Sequence, residues 1–335
     1  MLQSHLERET KEQTNIPLLE IRHLKKYFPI TTTLGKTKGF VKSVDGVDFD
    51  LYENQTLGLV GESGCGKSTT GRTILRLIEP TDGEAIYQGK NIFQLKGKAL
   101  KQIRKEFQIV FQDPHSSLDP KMRIGDAVME PMKIHHIGTK KDRMDRAMEL
   151  LLKVGIREDQ FYRYPHEFSG GQRQRIGLAR ALAVNPKLVV CDEPVSALDV
   201  SIQSQVINLL EEIQEQFQLT YLFISHDLSV VRHMADQICV MYLGQIVERA
   251  PTDELFTHPL HPYTQALLSA IPLPNPKLKK ERIIIKGEVP SPIDPPSGCV
   301  FHTRCPYATV LCKNERPQAR ELAPGHIVSC HLAES

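Results

Sequence analysis

Long apolar runs and an excess of charge are both missing from this sequence. No apolar stretch approaches the ~18 residues that are needed to cross a bilayer, so we expect a chain that is soluble by itself. Its 42 lysines and arginines nearly balance 40 acidic residues, for a net charge of +2, which leaves no global field to attract nucleic acid. The opening segment mixes both charges without an apolar core and predicts neither a signal peptide nor a transit peptide.

Cysteine is scarce over most of the chain. Three of the seven cysteines are scattered through segments that we interpret as core or loop, where they would act as small hydrophobic residues in a reducing cytosol: Cys65, Cys191 and Cys239. The other four lie together in the tail, at Cys299, Cys305, Cys312 and Cys330. In a cytosolic protein such a group favours a metal or cluster site over disulfides.

The spacing of these four tail cysteines bears on the kind of site. Structural zinc usually requires closely spaced C-x₂₋₄-C pairs, and none is present here. A four-thiolate iron–sulfur cluster tolerates wider gaps, and the Cys305–Pro306 step is typical of ferredoxin-type sites. Mixed zinc ligation with His302, His326 or His331 is the alternative.

What the sequence does contain is a phosphate-binding pattern at residues 61–69, GESGCGKST. It fits G-x-x-x-x-G-K-[ST], whose glycines let backbone N–H groups point at phosphate oxygens. An apolar strand (56–60) precedes it and a helix (68–78) follows, so the helix N-terminus also faces the phosphates. The alternative is a glycine-rich turn that binds nothing. The expected binding residues are Gly61, Ser63, Gly64, Cys65, Gly66, Lys67, Ser68 and Thr69, with Lys67 on the β and γ phosphates and Ser68 on Mg²⁺.

Alternating and apolar segments predict a sheet with helices around it. Residues 18–28 and 41–51 predict an antiparallel hairpin, joined by a loop at 29–39. Short apolar runs predict further strands, at 84–92, 107–112, 188–191, 220–224 and 237–247.

Residues 113–168 interrupt this alternation with helical patterning. A proline-bounded loop opens the insert, and an amphipathic helix is predicted at 143–154. Its expected buried face consists of Met144, Ala147, Met148, Leu151 and Val154.

A glycine pair also marks the start of the helix that follows this insert. In residues 169–175, SGGQRQR, Ser169 is placed as an N-cap, and Gly170 and Gly171 leave backbone N–H groups bare. A capped helix start and nothing more is the alternative. The segment nevertheless offers a second phosphate cradle that one nucleotide in one chain need not use.

Polar residues follow two of the predicted strands. Asp192 and Glu193 end the strand at 188–191, where two acids are costly unless a cation or a reaction uses them. One carboxylate can bind Mg²⁺ and its neighbour can orient or deprotonate an attacking water. His226 follows the strand at 220–224 and reaches the same edge if the strands are parallel. A solvated strand end and a structural histidine are the alternatives.

In this order, the motifs resemble those of the ATP-binding subunit of an ABC transporter. Phe168 departs from the usual leucine of the signature, a mild change because the N–H donors are retained. An aromatic that stacks on adenine is expected at Phe28, which the spacing favours, or at Tyr27. The matches are residues 61–69 to Walker A, Gln112 to the Q-loop, residues 168–172 to the LSGGQ signature, residues 189–194 to Walker B with its glutamate, residues 196–199 to the D-loop and His226 to the switch histidine.

The resemblance implies a mechanism with two subunits closed head to tail around ATP. Glu193, His226 and Gln112 would be catalytic, and Ser68, Gln112 and Asp192 would serve Mg²⁺. The phosphate loop of one subunit would face the signature of the other, with nucleotide contacts from Ser169, Gly170, Gly171, Gln172 and Asp199. The implied fold is α/β, an ABC-type P-loop nucleotide-binding domain with a mixed sheet core, an antiparallel β subdomain and a helical subdomain, plus a small C-terminal cysteine-rich extension.

The tail resembles that of the oligopeptide/dipeptide group of ABC importers, which also contains nickel importers. The resemblance rests on HPYT (261–264), GEVPSP (287–292) and the cysteine pattern. It implies a [4Fe-4S] cluster on the four cysteines, a homologous ATPase partner in a heterodimer, two membrane permeases and an extracellular substrate-binding protein. The chain would lie peripherally on the cytoplasmic face of the membrane, and no nucleic acid is expected.

The expected organisation is a disordered N-terminal segment (1–17), an ABC ATPase domain (18–271) and a proline-rich linker with the cysteine module (272–335). Within the same family, an importer ATPase for nickel or another small solute is the alternative. Two functions outside transport also remain open from sequence. One is a non-transport ABC ATPase, although a single motif set and a short insert fit poorly with those of translation and DNA repair. The other is a redox sensor or nucleic-acid binder that uses ATP as a switch, for which the basic run at 277–282 is weak support.

Overall fold

Two β-sheets and the helices around them form the part of the chain that this computed structural model describes, residues 16–33, 35–113, 117–196, 198–271 and 282–333. The strands are β1 (Leu19–Thr31), β2 (Thr37–Leu51), β3 (Thr56–Val60), β4 (Asp82–Tyr87), β5 (Lys90–Asn91), β6 (Phe107–Val110), β7 (Leu188–Asp192), β8 (Thr220–Ser225), β9 (Gln237–Tyr242), β10 (Gln245–Pro251), β11 (Arg320–Ala323) and β12 (His326–Val328). The α-helices are α1 (Lys67–Ile74), α2 (Gly97–Glu106), α3 (Ile124–Ile134), α4 (Lys140–Lys153), α5 (Gly170–Leu182), α6 (Val200–Phe217), α7 (Leu228–Met234), α8 (Thr252–Thr257), α9 (Pro262–Ser269) and α10 (Val310–Asn314). Short 3₁₀ turns lie at Ile92–Gln94, Glu158–Gln160 and Pro165–Glu167.

The larger sheet has the strand order β11-β12-β10-β9-β3-β8-β7-β6. Its strands from β9 to β6 are parallel, and every residue of β3, β7 and β8 is buried, as continuous apolar runs predict for strands covered on both faces. The register pairs Val60 with Ser225 and Asp192 with Ile224. The carboxyl ends of β3, β8 and β7 therefore lie at one edge, where open α/β sheets bind their ligands.

The smaller sheet is antiparallel, in the order β2-β1-β4-β5. The predicted hairpin is present but longer than expected, because pairing continues to Thr31 and Thr37 and shortens the loop predicted at 29–39. Threonine is β-branched and suits a strand even between glycines and lysines. The inward side chains that make the core under this sheet include Leu19, Ile21, Leu24, Val47 and Phe49.

Helices α3, α4 and α5 pack together as a helical layer. Thr139 and Asp142 form a reciprocal capping box, so α4 begins at Lys140, earlier than the predicted 143. The prediction that Met144 faces the core was wrong, because the fully buried stripe begins only at Ala147 and leaves Met144 exposed. Leu150 and Leu151 continue the stripe.

The end of the chain contributes to the main sheet. The hairpin of β11 and β12 adds to the free side of β10, with Glu248 opposite Val328 and Arg249 opposite Ile327. Sequence patterns did not predict this pairing. Several expectations lie outside the described residues: those for the N-terminal segment 1–15, for the linker residues 272–281, for residues 114–116 of the proline-bounded loop and for Ala197 of the D-loop. Within the described ranges, no helix combines the length and apolarity that a membrane span requires.

A buried ion pair fastens this hairpin to the domain. His326 is 1% exposed, and its Nε2 lies 2.8 Å from Oε1 of the fully buried Glu248. The Glu248 carboxylate also accepts hydrogen bonds from the backbone N–H groups of Leu260 and His261, at 2.7 and 3.1 Å. The bond to Glu248 raises the pKa of His326, although burial opposes the shift.

We expect the thermal stability to fall as the pH rises past the ordinary pKa of histidine and through the raised pKa of His326. Below the ordinary value His326 is protonated in both states and the ion pair contributes in full, whereas above the raised value the folded state loses the charge. Thermal midpoints measured from pH 5.5 to 9 should show this decline, and a His326→Gln variant should lack it. His23→Gln, at an exposed site, should keep the parental profile. An identical profile for His326→Gln would refute the assignment.

Candidate functional site

The loop at 61–69 joins β3 to α1 and packs closely against the backbone of β2 and of β9. Gly66 has φ of +108°, and a Cβ there would lie 2.1 Å from the backbone oxygen of Ser43 in β2. A Cβ at Gly61 would lie 2.1 Å from the backbone oxygen of Met241 in β9. The loop therefore requires glycine at both positions and keeps its backbone bare, as an anion cradle needs.

Lys67 carries its charge into this loop from the first residue of α1. It is 4% exposed, and its Nζ donates to the backbone oxygens of Gly61 and Glu62, at 2.8 and 3.0 Å. Over the described ranges no carboxylate pairs with this ammonium group. Its charge is oriented by neutral carbonyls and left available for an anion.

Ser68 and Asp192 meet across the edge of the main sheet. The Ser68 hydroxyl donates to Asp192 Oδ1 at 2.6 Å, and Arg72 Nη2 donates to Oδ2 at 3.1 Å. Asp192 is 0% exposed, so its carboxylate depends on these two partners. Sequence reasoning missed Arg72, which lies one turn beyond the loop on α1. The oxygen donors of Ser68 and Asp192 suit a hard cation such as Mg²⁺.

Glu193 stands between two polar partners at the same edge. Gln112 Nε2 donates to Glu193 Oε2 at 2.7 Å, and His226 Nδ1 lies 3.3 Å from that same oxygen. Glu193 itself has φ of +48°, in the left-handed region that a non-glycine residue enters at a cost, while its N–H is bonded to the Ile224 carbonyl at 3.0 Å. Gln112, Glu193 and His226, which are far apart in sequence, therefore form one group of contacting polar side chains.

Residues 169–172, at the start of α5, lie apart from the phosphate loop. Ser169 caps α5 by accepting from the Gln172 N–H, and the Gln172 side chain accepts from the Ser169 N–H in return. Gly171 is pressed against Ile202, where a Cβ would come within 2.5 Å. In the described part of the chain, no hydrogen bond or ion pair joins residues 169–172 to the phosphate loop. Asp199 likewise lies apart, exposed at the start of α6.

A buried glutamine that sequence reasoning missed connects α5 to the residue before Gln112. Gln174 is almost fully buried, and its Nε2 donates at 3.2 Å to the backbone oxygen of Phe111, directly before Gln112. The sequence did contain a signal for this contact, namely a polar residue on the otherwise apolar inner face of the helix.

The two candidate aromatic residues on β1 differ in environment. The Phe28 ring is 36% exposed, with Lys26 Nζ 4.8 Å from its centroid. The Tyr27 hydroxyl donates to the Asp45 carboxylate, and burial together with this bond raises the pKa of Tyr27 to about 12. Phe28 is thus the more available of the two for stacking.

Comparisons with known proteins agree with this geometry. The family model described as "ABC transporter" matches residues 44–196, and the model "Oligopeptide/dipeptide transporter, C-terminal region" matches residues 247–312. The oligopeptide transport ATP-binding protein AppF of Bacillus subtilis is 56% identical over 94% of this chain and 97% of its own length. The chain belongs to the ABC transporter family. The oligopeptide transport ATP-binding protein OppF of Salmonella typhimurium, 50% identical over 93% of this chain and 95% of its own, is a further relative of this ABC protein.

Solved cassettes share the fold of this ABC protein. "Dimeric Structure of MJ0796, a Bacterial ABC Transporter Cassette" has a TM-score of 0.63 and 26% identity, covering 70% of this chain and 98% of that one. The same cassette in a post-hydrolysis state bound to ADP and Pi has a TM-score of 0.62, again at 26% identity. The predicted α/β P-loop fold of an ABC ATPase is confirmed by these matches.

The four tail cysteines of the ABC protein converge. Every pair among the four thiols is close enough to interact electrostatically, and the Cys299 N–H donates to the Cys312 backbone oxygen at 2.8 Å. Burial raises the pKa of Cys299 to about 11 and also raises the pKa values of Cys305 and Cys330. Even so, no group of three or more His, Cys, Asp or Glu ligands is close enough to hold a metal ion anywhere in the described residues.

Backbone amides lie near three of the sulfur atoms. Cys330 accepts a hydrogen bond from the Leu332 N–H at 3.4 Å. The N–H groups of Phe301 and Tyr307 act in the same direction on Cys299 and Cys305, because each favours the thiolate and opposes the rise in pKa caused by burial. Each nearby histidine has a ring nitrogen engaged elsewhere: His302 with the Cys299 backbone oxygen, His326 with Glu248 and His331 with the Glu315 backbone oxygen.

Proposed function

We propose that this chain is the ATP-hydrolysing subunit of a membrane ABC importer for oligopeptides or dipeptides. The observation that carries the proposal is the contact of Glu193 with both Gln112 and His226, at the carboxyl edge of the sheet that bears the phosphate loop. The cargo class follows from the relatives of nearly equal length, whose names state oligopeptide transport.

Each residue of the site has a part in hydrolysis. Lys67 and the loop N–H groups would bind the β and γ phosphates, because they offer unneutralised positive charge and bare donors. Ser68, Asp192 and Gln112 would hold Mg²⁺, which when bound would neutralise charge on the phosphates. Glu193 would orient the attacking water and accept its proton, while Gln112 and His226 fix the carboxylate.

A second subunit would complete each nucleotide site. In support, Ser169 and the N-terminal amides of α5 have no contact with the phosphate loop of their own chain among the described residues, so they are free to face another. Head-to-tail closure would bring the residues 169–172 and Asp199 of one subunit to the ATP of its homologous partner. Phe28, as the more exposed aromatic, would stack on adenine.

The remaining parts of the transporter would be two permeases and an extracellular substrate-binding protein. The chain would lie peripherally on the cytoplasmic face, with α3 and α4 of the helical layer receiving the permeases. Gln174 supports this coupling, since it links α5, which packs on α3 and α4, to the residue before Gln112.

Reconstitution tests the cargo directly. The complex with its permeases, ATPase partner and binding protein is assembled in liposomes, and ATPase activity is measured against di- to hexapeptides, with nickel as the control solute. Peptides are expected to stimulate hydrolysis and to accumulate inside, because ATP closure is coupled to transport. Stimulation by nickel and by no peptide would assign the chain to the nickel branch of the family instead.

We also propose that the four tail cysteines bind a [4Fe-4S] cluster. The convergence of the cysteines and the backbone amides near three of the sulfurs support a four-thiolate site. The cysteines would close around the cluster on binding, since no three of them lie at ligand distance within the described ranges.

Anaerobically purified protein should contain about four irons and four acid-labile sulfides per chain, the stoichiometry of such a cluster. Cys312→Ser should lose most of this iron, whereas Cys239→Ser, at a buried strand position, should retain it. Iron, sulfide and zinc are measured on the same samples. Stoichiometric zinc without iron would contradict the proposal.

A further inference from the structure

Glu62 has every polar group of its backbone and side chain engaged, although it lies in the phosphate loop. Its carbonyl accepts the Lys67 ammonium group at 3.0 Å, and its N–H donates to the Tyr263 hydroxyl of α9 at 2.9 Å. Its carboxylate receives both terminal nitrogens of Arg304, at 2.7 and 3.2 Å. Tyr263 and Arg304, two residues of the C-terminal region, thus hold the phosphate loop in place through Glu62.

Arg304 is held in place by burial and by hydrogen bonds. Its side chain is 8% exposed, and Nη1 also donates to the Tyr242 hydroxyl at 3.4 Å. The Arg304 N–H donates to the Phe301 backbone oxygen, and the Phe301 ring packs edge-on against Tyr242 with centroids 5.2 Å apart. Arg304 therefore reaches the loop from a fixed base between two of the tail cysteines.

The charge on Glu62 is unfavourable for the function of the loop. Its backbone touches Lys67, so an unpaired carboxylate there would repel a triphosphate at short range and compete for the lysine. The bidentate contact with Arg304 offsets that charge and fixes the position of the carboxylate, since a planar guanidinium matches both carboxylate oxygens.

We propose that Arg304 is a positioning residue of the nucleotide site, which neutralises and fixes Glu62 and so makes ATP affinity depend on the C-terminal region. The inference rests on the proposed ATPase function and is independent of the metal bound by the cysteines. Sequence reasoning noted the motif that contains Arg304 but gave this arginine no role, because its partner is far away in the chain.

The test compares a single variant with a compensated double variant. Arg304→Met should weaken binding of a fluorescent ATP analogue about tenfold, and raise KM in the assembled complex similarly, while kcat changes less than about twofold, because the group touches neither the γ-phosphate nor the water. Arg304→Lys, which keeps the charge, should lose less. Adding Glu62→Gln to Arg304→Met should recover affinity to within about threefold of the parent, because the repulsive charge is gone.

Two controls make the comparison decisive. The single variant Arg304→Met and the double variant with Glu62→Gln both lack Arg304, so any loosening of the tail affects both. They differ only in the charge at position 62. Arg320→Met removes an arginine that donates to the backbone oxygens of Cys330 and Ala333 and should leave affinity unchanged. Parental affinity in Arg304→Met, a double variant as weak as the single one, or equal weakening in Arg320→Met would overturn the proposal. Parental hydrolysis in Glu193→Gln would instead refute the proposed function.

Discussion

Glu193→Gln is expected to lower ATP hydrolysis by the assembled complex at least about a hundredfold while leaving ATP binding intact. The amide keeps the shape of the side chain and can still bond to Gln112 and His226, but it cannot accept a proton from water. The positive φ of Glu193 indicates that the backbone is strained to present this group. Turnover is measured as phosphate release, and binding with the fluorescent analogue.

The chain offers a matched control for this experiment. Glu211 on α6 makes a similar contact with a histidine, Oε2 to His233 Nε2 at 3.3 Å, away from the phosphate loop. Glu211→Gln should hydrolyse ATP at the parental rate. If Glu193→Gln retained more than about a tenth of the activity, Glu193 would be excluded as the general base.

Gly66→Ala is expected to abolish nucleotide binding and to lower the thermal midpoint. Two penalties combine at this position. The left-handed φ of +108° is strained for alanine by about 1–3 kcal/mol, and the new methyl group would collide with the Ser43 backbone oxygen. Because Ser43 belongs to β2, relief requires moving the loop away from the smaller sheet, which displaces Lys67.

Gly64→Ala separates these two penalties. Gly64 has φ of +80°, but a Cβ there would meet no atom within 4 Å. The substitution Gly64→Ala should therefore lower the free energy of unfolding only by the backbone strain, about 1 kcal/mol. Isothermal calorimetry with ATP measures binding by Gly66→Ala. Thermal melts of both variants without nucleotide separate the two penalties, because Gly64 itself lies in the phosphate-binding loop. Equal losses in the two would show that the collision at Ser43 is unimportant.

Local patterns were sufficient to predict where much of the candidate site lies. The strand, loop and helix around Lys67 are contiguous in sequence, so their order could be recognised directly. The approach of Glu193 to His226 could also be predicted, because both follow buried apolar strands and parallel strands end at the same edge. The additional information that the structure supplies is which atoms meet, as in the shared Glu193 oxygen.

Contacts between distant segments could not be predicted in this way. Glu62 and Arg304 are each unremarkable polar residues in sequence, and neither carries a periodic or motif signal for the other. The same holds for Glu248 and His326, whose pairing depends on the docking of a hairpin that local patterning left unassigned. The exposure of Met144 likewise depends on where α4 meets its neighbours, which helical periodicity alone does not specify.

The docking of β12 on β10 has a consequence for biosynthesis. Until the ribosome has released the last strands, β10 presents unpaired backbone N–H and C=O groups along an open strand, and such edges promote association with other nascent chains. Any product that terminates before residue 326 would keep this edge permanently. Such fragments are therefore expected to accumulate as aggregates, even though those that include β10 contain Gln112, Glu193 and His226.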